Sequence, residues 1–587
     1  MNGLRKIIRR HGRLTPNENH VDNFYYFFLE ACRNERVTEE IIQCLLEYFP
    51  NAVSANNVGW TPLHYACSNK NVTNGIVHLL IDAAPDSVRS ATDEGWMPFH
   101  ILCDNKHVDE ITAIEILKLL IEKYPEAVRH ASNDGDLPIH HASARRSPEF
   151  CQVLIDAAPD SVRSINNVGW MPLHNLCGNT KVDEATAIQI CRLLIEKYPA
   201  AVRCADNFGR LPIHRACARR SPEFCRLLIE AYPGSERIAD GIAGALPLHY
   251  ACAINTVATV EFLYRLSPDT IRLATTGFIN HPIICRGDYP IHTAFRRFDK
   301  NALEIVKYLL NHDPNVKLQK CRGRSLLFYS CVATEYRDSN IETALQITRA
   351  IYDAHPEAIE DIGIASNIYR YHQQVQEFIN GELVYARQAK DANVMGTHDD
   401  TLQLPLHRAL QNNATLGSVK LLVKGNPAAV YSPDDSGALP LHVACQHHDS
   451  AEVVKYLIGR NTTSLAVLDR ERNAALHFAC RGAKYETIAL LLEKYDGKSV
   501  SKRNAQKKLP IELLWESNAV EDRESKEYVE SVFRLLQAYP ETLTNVGTDL
   551  KSSSQIGNGK KSGRNSLLVF IRKAMRSSRK RVQNIMR

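Results

Sequence analysis

The stretch GWTPLHYA at residues 59–66 decides the fold of this chain, because versions of it recur along most of the 587 residues. The motif histidine returns at the same place in each copy, and most spacings are 34 to 36 residues. The histidines at this place are His64, His100, His140, His174, His214, His249, His292, His407, His442 and His477. Two degenerate copies, SLLF at 325–328 and LPIE at 509–512, extend the series, and FLEAC at 28–32 resembles a first capping copy. A fixed period of this length predicts a repeat array rather than separate globular domains.

Each unit begins with a short helix that has a small, apolar face. Thr61 followed by Pro62 is typical of a helix N-cap and first helical position. Leu63, Ala66 and Cys67 then lie on one side, and their size allows neighbouring repeats to approach closely. The motif threonine occurs only at position 61; larger side chains replace it in most other copies, and we expect their burial to offset the lost cap.

A second helix follows, as in residues 113–124 (AIEILKLLIEKY). Helical spacing predicts an apolar stripe through Ile114, Leu117, Ile121 and Tyr124, with Glu115, Lys118 and Glu122 facing water. Pro125 is expected to end this helix, and the turn formers after it return the chain to the next unit. Neither helix can bury its apolar side alone, so the core must come from stacking.

This pattern resembles the ankyrin repeat, over roughly residues 24–548. The resemblance implies an all-α solenoid of stacked helix-turn-helix units with hairpin-like loops. It also implies that the concave helical side and the loop tips bind protein partners. In this chain, Tyr-Pro or Ala-Pro replaces the usual Gly-Ala ending of the second helix.

The repeat register is lost between residue 328 and His407, where residues 366–391 are expected to be helical. We therefore divide the chain into a basic N-terminal segment (1–23), an N-terminal block (24–360), a degenerate repeat or helical docking insertion (361–400) and a C-terminal block (401–548). A Gly/Ser/Lys-rich linker (549–565) and a basic amphipathic helix (566–587) complete the predicted organisation.

The basic residues are concentrated at the two ends of the chain. Residues 1–13 carry five basic and no acidic side chains, and residues 551–587 carry eleven and none. Subtracting these sixteen from the net charge of +5 leaves about −11 for residues 14–550. A nucleic-acid groove along the body is therefore not expected, since it would need a basic stripe.

The cysteines follow the repeat. Nine of the sixteen fall at one place in the pattern, namely Cys32, Cys67, Cys103, Cys177, Cys217, Cys252, Cys331, Cys445 and Cys480. No CxxC pair occurs, so this placement predicts reduced, buried thiols and no metal site.

Enzymatic motifs are not recognisable, so no catalytic residue, cofactor or small-molecule substrate is predicted. Ten copies of a histidine at a helix start indicate a structural role. HHD at 447–449 lacks the spacing of metal ligands on a helix.

Candidate partner-binding residues come from the loops and helix ends. Trp60, Trp96 and Trp170 each follow a glycine at a loop tip, and tryptophan is frequent at binding hot spots. The alternative is that these rings pack on the adjacent loop and stiffen the array. The copies ARRSPEF at 144–150 and 218–224 suggest a Ser N-cap followed by Pro, or a phosphorylation target. Their arginines, Arg145, Arg146, Arg219 and Arg220, are expected to be exposed.

The basic terminal helix supports a second hypothesis, a peripheral membrane or calmodulin-linked regulator. Its contact residues would be Arg572, Lys573, Arg576, Arg579, Lys580 and Arg581. The alternative is that this helix covers the last repeat. The first hypothesis is a protein-binding scaffold or adaptor. Without a signal peptide or spanning segment, the chain is expected in the cytoplasm, with the nucleus as an alternative.

Overall fold

The computed structural model describes residues 27–54, 59–277, 284–297, 299–334, 340–394, 405–494, 500–520 and 522–538. Two compact units are present, unit 1 up to Gly323 and unit 2 from Arg324. Both consist of helix pairs, as the sequence predicts. Two strands of two residues each, β1 (Lys320–Cys321) and β2 (Arg324–Ser325), lie on either side of the unit boundary.

Unit 1 alternates first and second helices. The first helices are α1 (27–33), α3 (Pro62–Ser68), α5 (Pro98–Asp104), α7 (Pro138–Arg145), α9 (Pro172–Gly178), α11 (Pro212–Arg219), α13 (Pro247–Ile254) and α15 (Pro290–Ala294). The second helices are α2 (Glu39–Tyr48), α4 (Asn74–Ala83), α6 (Glu110–Lys123), α8 (Pro148–Ala157), α10 (Glu184–Lys197), α12 (Pro222–Ala231), α14 (Val257–Leu266) and α16 (Lys300–His312). From α3 to α14, each helix packs against its own partner and against the equivalent helix of the next repeat.

Unit 2 continues the alternation from α17 (Leu326–Val332), α18 (Ile341–Ala354), α19 (Ile362–Ser366) and α20 (Gln373–Val394). It ends with α21 (Pro405–Gln411), α22 (Leu416–Gly425), α23 (Pro440–His447), α24 (Ala451–Arg460), α25 (Ala475–Arg481), α26 (Tyr485–Lys494), α27 (Pro510–Glu516) and α28 (Lys526–Ala538).

Most second helices begin at a side-chain cap. Asp109, Ser147, Asp183 and Ser221 each accept a hydrogen bond from an amide in the first turn of the helix that follows them. The predicted Ser cap of the ARRSPEF copies is therefore confirmed. Such a cap satisfies one of the amides that a helix start leaves without a partner.

The stripe predicted for α6 is only partly correct. Leu117 is fully buried, and Glu115, Lys118 and Glu122 are exposed as expected, but Ile114, Ile121 and Tyr124 are only half-buried. The core side of α6 instead carries Ala113, Ile116, Leu117, Leu119 and Leu120. The helix packs against α4, α5 and α8 together. Its buried side is thus wider than one stripe and is rotated from the predicted position.

A short 3-10 turn follows most second helices, where an irregular return was expected. The turns of unit 1 are Pro50–Ser54, Pro85–Arg89, Pro125–Arg129, Pro159–Arg163, Pro199–Arg203, Ser235–Arg237, Pro268–Arg272 and Val316–Leu318. Those of unit 2 are Pro356–Glu360, Pro427–Tyr431 and Thr462–Leu465, and a further 3-10 turn, Ile368–Arg370, follows the first helix α19. In most of the turns that follow second helices, the proline that ends the helix also starts the turn, since its fixed φ suits a first helical position.

Hairpin-like fingers connect each turn to the next first helix, and neighbouring fingers are hydrogen-bonded to each other. The amide of Asn133 donates to the carbonyl of Glu94 at 3.0 Å, and that of Asn167 donates to Asp134 at 2.9 Å. Asn207 continues the series with a bond of 3.1 Å to the Val168 carbonyl. Bonds of Gly241 to Phe208 and of Gly277 to Ala243 extend this series, so the fingers between residues 93 and 277 form a continuous bonded edge.

The region where the repeat register is lost holds α19 and α20. A five-residue first helix is followed here by a second helix of 22 residues. Val375 and Ile379 are fully buried on α20, while Phe378 and Leu383 are half-buried. Residues 367–372 are not α-helical, so the predicted helix 366–391 begins later than expected.

Helices α18 and α22 contact each other directly, and α20 packs along both. In the regular repeats of unit 1, the contacts of a second helix with other second helices are mainly with the next in sequence. The separation of residues 361–400 as a degenerate repeat or an insertion stays a prediction, as do the other domain boundaries.

Among the described helices, none combines the length and apolar character needed to cross a bilayer.

Candidate interaction face of the repeat stack

The motif histidines are buried and link each repeat to the next. The backbone amide that starts the first helix donates to histidine Nδ1, for example from Met97 to His100 at 3.1 Å and from Leu211 to His214 at 3.0 Å. On the other side of the ring, His100 Nε2 lies 3.0 Å from the Asp136 carbonyl of the next finger. Because Nδ1 accepts and the carbonyl can only accept, the proton must be on Nε2. The histidine is therefore a neutral bridge between two repeats.

The same bridge recurs through both units. Distances from Nε2 to a carbonyl of the next repeat are 3.0 Å for His64, 3.1 Å for His140, 3.3 Å for His174, 2.9 Å for His214, 3.1 Å for His249, 3.2 Å for His407 and 3.2 Å for His442. Burial lowers the pKa of His64 and His174 to about 4, and the pKa of His100 to about 3. These values follow from desolvation of the charged ring.

The start of the first helix differs from expectation in one detail. The Thr61 hydroxyl lies 2.8 Å from His64 Nδ1 and makes no cap bond to the helix backbone. The backbone amide of Thr61 uses the same ring nitrogen at 3.1 Å. Met97 and Met171 keep this amide bond and are 1% and 4% exposed. The ring makes the essential contact, so the threonine can be replaced by a buried apolar residue.

In five repeats of unit 1, the residue directly after the motif histidine is half-buried; these residues are Tyr65, His141, Asn175, Arg215 and Tyr250. In the other two repeats, Ile101 and Thr293 occupy this place and are buried. We call the five half-buried side chains the first-helix face. The repeats fix their backbone positions through the histidine bridges, while the side chains differ in size, charge and hydrogen-bonding capacity.

The three tryptophans lie beside this face and are half-buried. The Trp96 ring packs against His141 of the next repeat, with centroids 4.6 Å apart. Trp170 donates from Nε1 to Asp206 Oδ2 of the next finger at 3.1 Å. Trp60 packs against Tyr65 of its own repeat at 5.1 Å. The stiffening role therefore has structural support at Trp96 and Trp170, and partner binding by the three rings stays a prediction.

The expectation that the paired arginines are exposed is wrong for Arg146 and Arg220, which are each 2% exposed. Arg146 donates from Nε and Nη2 to the Leu102 carbonyl, and Nη1 pairs with Glu110 at 3.2 Å. Arg220 repeats these contacts with Leu176 and Glu184. The carbonyls at a helix end have no intrahelical partner. Each guanidinium satisfies one of them and so links two neighbouring first helices.

The other two arginines differ from each other. Arg145 is half-buried and donates to Asp104 Oδ1 at 2.7 Å. Arg219 is exposed, as expected. Only these two of the four are accessible to a partner.

Arginines and tyrosines form a ladder on the second-helix side that was not predicted from the sequence. Arg89 lies over the Tyr124 ring at 5.1 Å, Arg163 over Tyr198 at 5.1 Å, and Arg203 over Tyr232 at 4.9 Å. Each arginine ends a 3-10 turn, and each tyrosine precedes the turn of the next repeat. The recurring spacing of Tyr-Pro and Val-Arg in the sequence was the signal that could have revealed this ladder. The stacking also accounts for the Tyr-Pro ending of the second helix.

All sixteen cysteines are free, and the nine at the shared repeat position are buried. Burial raises the pKa of the Cys67 thiol to about 12, as expected for a small apolar group in the core. In the parts of the chain that the structure describes, no three His, Cys, Asp or Glu side chains converge to hold a metal ion. The basic tail residues from Arg572 to Arg581 lie outside these parts, so the membrane and calmodulin hypotheses stay predictions.

Stacked helix pairs with bonded fingers and histidine bridges define a helical repeat solenoid. A family model of ankyrin repeats matches residues 184–272, 370–466 and 406–504, and a single-repeat ankyrin model matches residues 58–88. The chain is thus an ankyrin repeat protein. No curated protein matches it.

Proposed function

We propose that this chain is a scaffold or adaptor that binds protein partners through the first-helix face and the neighbouring fingers. Ankyrin repeats in general are protein-protein interaction modules and are typically not enzymes. The proposal for this chain rests on one observation. The interior contacts of the repeats are nearly identical, whereas the first-helix face changes in chemistry along the stack, from Tyr65 through His141, Asn175 and Arg215 to Tyr250.

A surface of this kind suits recognition for a physical reason. The histidine bridges and finger bonds hold the backbone in place before a partner arrives, so little conformational entropy is lost on binding. Specificity then depends on the side chains that the fixed backbone presents. The sequence of Tyr65, His141, Asn175, Arg215 and Tyr250 supplies aromatic, polar and cationic groups in a fixed order.

The test compares protein neighbours in cells by proximity labelling of the full chain. A face variant carries Tyr65→Ala, Asn175→Ala and Tyr250→Ala. A matched control carries Ile111→Ala, Arg192→Ala and Leu266→Ala, three exposed residues of second helices. Both variants are first shown to melt at similar temperatures by circular dichroism.

We expect the face variant to lose specific neighbours that the control keeps. Equal neighbour sets in the wild type, the face variant and the control would contradict the assignment of binding to this face.

A further inference from the structure

Two successive pairs of repeats in unit 1 are copies of each other at an offset of 74 residues, and they differ in charge at one place on the first-helix face. ARRSPEFC occurs at 144–151 and again at 218–225. In the first copy, Asp104 lies beside His141 and Arg145. In the second copy the equivalent positions are Gly178, Arg215 and Arg219. The second copy has thus lost an acid and gained a base.

In the first copy the Asp104 carboxylate neutralises the bases beside it. Asp104 Oδ1 lies 2.7 Å from Arg145 Nε and 3.5 Å from His141 Nδ1. Asp136 Oδ2 lies 4.0 Å from His141 Nε2. The bases of the first copy therefore face two acids.

In the second copy three contacts hold the Arg215 guanidinium, and none of them is a carboxylate. Its carbon lies 3.7 Å from the Trp170 ring centroid. Its Nε donates to the His174 carbonyl at 3.1 Å. A Cβ at Gly178 would lie only 2.2 Å from Arg215 Nη2, so the glycine provides the space that the guanidinium occupies. The guanidinium is thus fixed in place, and none of these contacts supplies a negative charge to compensate it.

Two carboxylates of the neighbouring fingers, Asp206 and Asp240, already accept hydrogen bonds from other donors. Asp206 is 5% exposed and accepts from Trp170 Nε1, from the amides of Phe208 and Arg210, and from the Arg210 guanidinium. Asp240 is also 5% exposed and accepts from the Tyr250 hydroxyl and from finger amides. Burial and the neighbouring Arg210 lower the pKa of Arg215 to about 10; Asp206 offsets part of this effect, and Arg219 adds a smaller repulsion. An anion placed here would relieve this repulsion.

We propose that Arg215, held against Trp170 in the space beside Gly178, and the exposed Arg219 bind the carboxylates of an acidic peptide segment of a partner protein. Arg215 and Arg219 lie four residues apart on α11 and so share one side of the helix. A guanidinium whose plane is fixed by stacking can bind a carboxylate through two parallel hydrogen bonds.

The charge of the chain favours a short acidic segment over a long polyanion. Residues 14–550 carry about −11, which repels a nucleic acid or an anionic membrane over most of the body. The cationic group on the first-helix face is local. The inference rests on the proposed function, and it names the chemistry of the partner.

The experiment uses the full chain to select peptides from a phage-displayed library of random 12-residue sequences. Gly178→Asp restores the acid of the first copy, and Gly178→Ala displaces the guanidinium without changing charge. Arg192→Ala is the matched control, because it removes an exposed arginine from a second helix of the same unit. Binding of one selected synthetic peptide is then measured by fluorescence anisotropy.

We expect the wild type and Arg192→Ala to select peptides rich in Asp and Glu. Each of the variants Gly178→Asp, Gly178→Ala and Arg215→Ala should weaken binding of the selected peptide by about tenfold. This change corresponds to the loss of roughly one charge-assisted contact. The Glu→Gln version of the peptide should bind as weakly to the wild type. A further variant, Asp104→Gly, tests for a gain of binding. It should increase the affinity for acidic peptides, because it frees Arg145 from its ion pair.

Three outcomes would overturn the inference. Selected peptides without acidic enrichment would refute the carboxylate partner while leaving protein binding intact. A phosphoserine version that binds more than tenfold tighter than the glutamate version would assign the site to phosphate. If no peptide is selected by any variant, the proposed function fails together with the inference.

Discussion

Buried polar side chains, rather than the exposed ones, explain most of the regularity of this chain. The motif histidine occupies its place because a ring with one acceptor and one donor nitrogen can join a helix start to the next finger. Glu512 makes the first half of this contact in the degenerate LPIE copy, where the Leu509 amide donates to its carboxylate at 2.8 Å. The carboxylate lacks a donor for the next repeat, which suits a position close to the end of the described stack.

The first residue-scale prediction concerns the stability of the folded chain in acid. The motif histidines are neutral when folded, with pKa values near 4 for His64, His174 and His249, against 6.5 for an ordinary histidine. Between these values the unfolded chain binds more protons than the folded one, so stability is complete above pH 6.5 and falls as pH decreases toward 4. Each such histidine contributes up to about 1.4 kcal/mol per pH unit in this window.

Urea unfolding of the full chain between pH 7 and 5 measures this effect. His174→Gln should reduce the slope of stability against pH, whereas the exposed His78→Gln should leave it unchanged. A wild-type stability that is flat across the window would contradict the neutral-bridge assignment.

The second residue-scale prediction separates the two arginines of a copy. Arg146→Ala removes a buried guanidinium and leaves the Leu102 carbonyl without its partner, so it should cost about 2–3 kcal/mol. Arg219→Ala changes an exposed side chain and should stay within about 0.5 kcal/mol. Hydrogen exchange of peptides covering α5 and α7 is the measurement for Arg146. Equal protection in Arg146→Ala and the wild type would show that the guanidinium does not link the two helices.

At the scale of elements, the fingers impose a requirement that the helices do not. Gly169 has φ of +80° and a Cβ there would lie 2.6 Å from the Asn207 amide nitrogen of the next finger. Gly234 has a similar φ of +87°, but a Cβ there would meet nothing within 4 Å. The two glycines therefore separate backbone strain from crowding.

Gly234→Ala should cost about 1–2 kcal/mol from the left-handed backbone alone. Gly169→Ala should cost about 1–3 kcal/mol more, because the adjacent finger must also move. Thermal unfolding of the two variants measures the difference. Equal losses would show that the finger edge yields easily and is less rigid than the proposed function requires.

The long helix α20 illustrates the opposite case, an element that departs from the repeat. Its Glu382 is 6% exposed, and it accepts from Thr415 at 3.0 Å and from Ser418 on the neighbouring helix α22. Burial raises the pKa of this carboxyl. Position 417 is glycine, and a Cβ there would lie 2.6 Å from the Tyr352 ring, so α18 and α22 approach each other closely. Small and hydroxyl-bearing residues thus permit the irregular packing in unit 2.

At the scale of the whole molecule, the contacts are mainly between neighbouring repeats, so stability should be local. Phe224 is fully buried in α12, and Phe224→Ala should cost about 3–5 kcal/mol in its own repeat. Since repeats are coupled mainly to their neighbours, hydrogen-exchange protection should fall in α10, α12 and α14. Helices of unit 2, such as α24 and α26, should keep their protection.

The control for this prediction is Phe533→Ala, a 40% exposed residue of α28, which should change protection little in either unit. Loss of protection through both units after Phe224→Ala would indicate cooperative unfolding of the whole array instead.

The sequence by itself determined the repeat, its all-helical class, the structural role of the motif histidines and the burial of the cysteines at the shared repeat position. These features depend on period and local chemistry: a 3.6-residue helical pattern, a proline at the helix start and a small residue at each contact are visible without coordinates. The Ser caps at 147 and 221 were predictable for the same reason, since their partner amide is three residues away.

Only the tertiary structure decided features whose partners lie one repeat away in the chain. Arg146 and Arg145 are adjacent and chemically identical, yet one is buried against Leu102 and the other pairs with Asp104. The charge difference between the Asp104 and Gly178 copies is printed in the sequence. The consequence of this difference is that Arg215 stacks on Trp170 without a carboxylate among its contacts. That arrangement depends on how first helices lie beside each other. Packing between repeats sets which side chain faces which, and spacing along one helix carries no information about that choice.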